Sequence, residues 1–63
     1  PLIHRSGTNQ LGKKLHYYFN YSGASQNFTY KEITGNDLLA NKTVTTNQGI
    51  SLEPWGFVII EEK

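Results

Sequence analysis

Apolar and polar positions alternate with a period of two along much of this chain. From Lys13 to Tyr21, Leu15, Tyr17, Phe19 and Tyr21 fall on one face, and Lys14, His16, Tyr18 and Asn20 on the other. Successive side chains of a strand point to opposite faces, so this pattern predicts a half-buried antiparallel strand with the first set turned inward. Gln26 to Glu32 repeats it, with Phe28 and Tyr30 against Asn27, Thr29 and Lys31. Thr43 to Thr46 reads as a short strand with Val44 to bury, and Ile50 and Leu52 share a face of another that Pro54 ends. Trp55 to Glu61 lacks polar alternation, which predicts a strand covered on both faces. Leu2-Ile3-His4 is expected to add an N-terminal strand, and Leu38-Leu39 to anchor a loop in the core.

The segments between these runs are rich in Gly, Asn, Asp and Ser. They are Ser6–Asn9, Ser22–Ser25, Thr34–Asp37, Ala40–Lys42, Asn47–Gly49 and Glu53-Pro54. These residues favour reversals, and no segment holds a helical period. Ser22–Ser25 is expected to join the two longest alternating runs as a hairpin. The expected fold is all-β: a small antiparallel Greek-key-like β-sandwich or partly open barrel of about six to seven short strands. Its expected core is Leu15, Tyr17, Phe19, Phe28, Leu52, Val58 and Ile60.

Length sharpens this picture. With 63 residues the chain is a single β domain over 1–63. A domain near this size buries only about 60% of the surface of its unfolded chain, which leaves little room for a catalytic pocket. There is no cysteine, so disulfides, thiolate metal sites and a cysteine nucleophile are excluded. A net charge of +1 removes the electrostatic case for nucleic acid. The longest apolar run, Trp55 to Ile60, is far short of the roughly 20 residues of a membrane span. The chain begins at Pro1 with strand-like sequence, and we expect it to be a piece of a longer polypeptide.

Candidate chemistry is sparse. His4 and His16 lie on different expected strands with no metal-ligand spacing, and no cofactor is expected. The carboxylates are Glu32, Asp37, Glu53, Glu61 and Glu62. A glycosidase needs two facing carboxyl groups about 5–9.5 Å apart, and no pair here is forced together by spacing. Gly7 and Gly12 precede Lys13-Lys14 without the hydroxyl or helix of a phosphate loop. Three N-x-S/T matches, at Asn20, Asn27 and Asn41, receive no function. The eight aromatics are unusually dense, and most of them are expected to supply the core. Tyr18 and His16 on the polar-side face, with Trp55 at the entry to the last strand, form the expected sugar-binding or docking surface.

The order of these features resembles the C-terminal domain of family 42 glycoside hydrolases, the bacterial β-galactosidases. The aromatic strand Leu15-His16-Tyr17-Tyr18-Phe19-Asn20-Tyr21-Ser22 is similar to the family's I/L-H-Y-Y-x-N-Y-S. Asp37-Leu38-Leu39-Ala40-Asn41 resembles its D-L-L-T-G turn, with Ala-Asn for Thr-Gly, and Thr43-Val44-Thr45 resembles its next strand. Leu52-Glu53-Pro54-Trp55-Gly56-Phe57-Val58-Ile59-Ile60-Glu61 resembles its L-x-P-x-G-V-x-V-L-E ending. The likeness runs from about Gly12 to Glu61, and the C-terminal β domains of α-amylase-type enzymes share part of it. It implies a non-catalytic accessory domain whose partner is the TIM-barrel catalytic domain of a bacterial parent enzyme. The catalytic glutamates of that family lie on the barrel, so no catalytic residue carries over. Recruitment of β-galactoside carbohydrate through exposed aromatics is the alternative role.

Overall fold

The computed structural model describes residues 2–63. It is all-β, with seven strands: β1 (Leu2–Thr8), β2 (Lys14–Asn20), β3 (Gln26–Thr29), β4 (Gly35–Asp37), β5 (Lys42–Val44), β6 (Gly49–Leu52) and β7 (Phe57–Glu62). Five form an antiparallel sheet in the order β1-β2-β7-β4-β5, and β3 and β6 form a second sheet. The edge strands β1 and β5 do not pair, so the sheet stays open rather than closing into a barrel.

The turns explain much of this order. Asn9 closes the β1–β2 hairpin: its Oδ1 accepts from the amides of Leu11 and Lys13 at 2.9 and 3.0 Å. Gly12 takes the left-handed conformation there at φ 80°, which glycine adopts without cost. Asn41 and Asn47 supply positive φ to the turns after β4 and before β6. Gly35 is required where β4 crosses the end of β7, because a Cβ would overlap the Glu61 carbonyl oxygen.

Several expectations change. β1 runs through the Ser6–Thr8 segment expected to turn, and β4 forms inside Thr34–Asp37, because long partners exist for both. Ser22–Ser25 does not make a hairpin: β2 pairs with β1 and β7, while β3 crosses to the other sheet and pairs with β6. Asn20 directs that crossing. Fully buried, its side-chain amide donates to the carbonyls of Ala24 and Glu53 at 2.8 Å and of Leu52 at 3.3 Å, tying the chain leaving β2 to the end of β6. Leu38 and Leu39 are exposed at the tip of the β4–β5 turn, where Asp37 Oδ1 accepts from the amides of Leu39 and Ala40.

The largest correction concerns β2. The core is Tyr18, Tyr30, Val44, Leu52, Val58 and Ile60, with Leu2, Phe28 and Ile50 packed against it. The covered face of β2 is therefore His16, Tyr18 and Asn20, whereas Tyr17 is exposed and Leu15 and Phe19 are half-buried. The alternation assigned the right residues to common faces and the wrong face to the interior. The small β3–β6 sheet covers one side only, and that side carries the polar residues, each with a partner. No buried side-chain nitrogen or oxygen lacks a hydrogen bond among the described residues.

Candidate functional site

Two features of the molecule carry chemistry beyond the core. The first is the uncovered face of the five-stranded sheet. Residues directly opposite in an antiparallel sheet share a face. Ile3, Phe19 and Phe57 form one such row, and Arg5, Tyr17 and Ile59 the next. Leu15 lies beside Glu61 in a third row. The result is an apolar face with aromatic rings in contact: Tyr17 stacks on Phe57 at 5.6 Å, and Phe19 meets Tyr21 at 5.9 Å. Phe57 remains 44% exposed and Tyr21 57%, so these rings face solvent. β7 has the two apolar faces its sequence predicts, but only one is covered.

Trp55 borders this face. Pro54 and Trp55 are the central residues of a turn closed by the Gly56 amide donating to Glu53 O at 2.9 Å. Trp55 sits at φ 61°, in the left-handed region. For a bulky L-residue that conformation is uncommon and costs about 1–2 kcal/mol, and glycine or asparagine normally occupies such a position. The ring is 56% exposed and meets Tyr21 edge-on at 5.2 Å and 90°. A strained backbone that presents a large apolar ring to solvent makes Trp55 a candidate contact residue.

Of the residues expected to form the exposed site, only Trp55 is exposed. Tyr18 and His16 retain 6% and 1% of their surface, on the opposite side of the sheet. The reason is the inverted placement of β2. Phe28 stacks on Tyr18 at 4.4 Å, and Tyr30 meets the His16 ring edge-on at 6.0 Å. The exposed apolar surface is instead built from Leu15, Tyr17 and Phe19, which were expected inside.

His16 belongs to the second feature. Its Nδ1 lies 3.1 Å from His4 Nε2, and its Nε2 lies 2.6 Å from Glu62 Oε2 and 4.0 Å from Glu32 Oε1. β2 supplies His16, β1 supplies His4, β7 supplies Glu62, and the β3–β4 connection supplies Glu32. His4 stacks on Tyr18 at 4.3 Å, nearly parallel. That covered ring face disfavours a charged imidazole, and the neighbouring His16 adds to the effect, so His4 titrates below its ordinary range; Glu32 partly opposes this. Burial and the Glu32 carboxylate raise the Tyr18 phenol. Tyr30 is pushed up to about 12, by burial first and then by Glu62, Tyr18 and Glu32.

This cluster was not legible from spacing, since Glu62 is 46 residues from His16. Only the register of β2 against β7, which sets His16 beside Ile60, brings them together. The two carboxylates are close, but they line neither of two surface grooves among the described residues, one along Phe28 and Ile50 and the other between β6 and the β4–β5 turn. Asp37 in the second groove is occupied in capping the turn.

No protein-family model matches the chain, and no curated protein matches it significantly.

Proposed function

We propose that this chain is a non-catalytic accessory β domain that docks its uncovered sheet face onto the catalytic part of a β-galactosidase-like glycoside hydrolase. The observation that carries the docking is the contiguous face of Ile3, Leu15, Tyr17, Phe19, Phe57 and Ile59, bordered by Tyr21 and Trp55. A face this apolar on a domain this small is matched to a partner surface. The identity of that partner as a TIM barrel rests on the sequence resemblance from Gly12 to Glu61.

The aromatic geometry separates this reading from sugar recruitment. Sugar platforms present flat faces in one plane with convergent polar groups. Here Trp55 and Tyr21 stand perpendicular. The exposure and strain of Trp55 still favour sugar binding as the second reading.

One NMR titration tests both. Galactose, lactose and a longer β-galactan are added to the chain, reading the Trp55 indole N–H and the Tyr17, Tyr21 and Phe57 rings. Docking predicts no saturable shift with the sugars. It predicts perturbation of the same signals by a family 42 catalytic domain lacking its own C-terminal domain. Saturable shifts at Trp55 and Tyr21 with millimolar or tighter affinity would replace docking by carbohydrate binding. Absence of any change with the catalytic domain would refute docking on that partner.

A further inference from the structure

We propose that His16, Glu32 and Glu62 form a binding site for a divalent transition-metal ion of the zinc type, which staples three separate segments of the domain. One ligand atom from each, the His16 Nε2 and a carboxylate oxygen from each glutamate, lies within 4.8 Å of the other two. A tetrahedral zinc ion with bonds of about 2.0–2.1 Å holds its ligand atoms about 3.4 Å apart. The present separations of 2.6 and 4.0 Å bracket that value. Small movements of the two flexible glutamate side chains complete the geometry, and water takes the fourth position.

Three further observations favour an ion here. The first is charge: among the described residues, neither carboxylate has a lysine or arginine partner, and His16 is their shared neighbour. A divalent cation neutralises both. The second is the donor set, because one imidazole with two carboxylates suits zinc better than magnesium or calcium, which take oxygen alone. The third is the support behind His16. A metal-bound imidazole donates its other N–H to a partner that fixes its ring. With Nε2 on the metal, His16 Nδ1–H points at His4 Nε2, 3.1 Å away. Without metal, Nε2–H donates to Glu62 and the bond to His4 reverses direction. His4 is thus a positioning residue.

The linked segments are β2, the β3–β4 connection and the end of β7. A domain of this length has no disulfide to restrain it, and a bound metal is the other common staple in small domains. Binding to the folded chain raises its stability by mass action.

The test is calorimetric titration of the metal-stripped chain with zinc chloride, alongside magnesium chloride, with thermal melts of each mixture. One equivalent of zinc is expected to bind saturably and raise the Tm, while magnesium does neither. Glu32 is partly exposed, so Glu32→Gln keeps the fold and is expected to weaken zinc binding at least tenfold. His4→Phe preserves the stack on Tyr18 and is expected to weaken it about 10–100-fold. Zinc should also shift the His16 ring nitrogen signals at one equivalent. No saturable zinc binding, or zinc binding that Glu32→Gln leaves unchanged while the His16 signals stay still, overturns the proposal.

Discussion

The neighbouring tyrosines of β2 make a direct test of which face of the sheet is the interior. Tyr18 is 6% exposed and is stacked between His4 at 4.3 Å and Phe28 at 4.4 Å, with Tyr30 edge-on at 6.3 Å. Truncating a buried aromatic to alanine costs about 3–5 kcal/mol, from lost transfer energy and the cavity left behind. A domain of this length has about 3–9 kcal/mol in total, at the usual stability per residue. Tyr18→Ala should therefore remove most of the stability and leave a substantial unfolded population. Tyr17 is 37% exposed, and its main aromatic contact is the stack on Phe57 at 5.6 Å. Such a pair contributes about 0.5–1.5 kcal/mol beyond the area it buries, and the covered part of the ring adds a transfer term of similar size, so Tyr17→Ala should cost about 2 kcal/mol, less than Tyr18→Ala. Urea unfolding of both variants, followed by far-UV circular dichroism with amide shift dispersion as a check, reads the difference. A larger loss from Tyr17→Ala than from Tyr18→Ala would show that β2 turns its other face inward, as the bare alternation implies. It would then also remove the apolar docking face.

Two further perturbations probe the polar interior. Asn20→Ala withdraws the donor shared by the Ala24, Leu52 and Glu53 carbonyls, and is expected to cost about 2–4 kcal/mol by the same unfolding assay, since lost hydrogen bonds are compounded by unmet buried acceptors; a loss below 1 kcal/mol would mean that water replaces the amide. Tyr30 is fully buried, donates to Ile33 O at 2.6 Å, and has its phenol pushed up to about 12 from an ordinary value of 10.0. Because the folded state holds the proton more tightly, the neutral phenol's contribution is complete below pH 10 and is lost as pH rises through 12. The shift corresponds to about 3 kcal/mol. With a chelator present, stability should fall over that window, and Tyr30→Phe should flatten the fall; an unchanged profile in the variant would assign it to other groups.

The sequence by itself determined the class of the fold and much of its punctuation. Period-two alternation with β-branched and aromatic residues left only strands, and Asn9, Asn41 and Asn47 placed reversals where local conformation demands them. These are near-neighbour effects, which a chain carries wherever it folds. The apolar character of Val58 and Ile60 and the burial of Leu52 were legible for the same reason. Which side of β2 would be covered was not. Alternation defines two faces but does not say which one a second sheet will meet, and here β3 and β6 settle on the face bearing His16, Tyr18 and Asn20. Hydrophobicity favoured the opposite choice. Hydrogen bonds made only in the folded chain offset it, from Asn20 to three carbonyls and between His16 and its partners Glu62 and His4. The same long-range pairing of β2 with β7 gathers His16 and Glu62, and folds Glu32 against them. Contacts between residues tens of positions apart depend on register and topology, which only the tertiary structure decides.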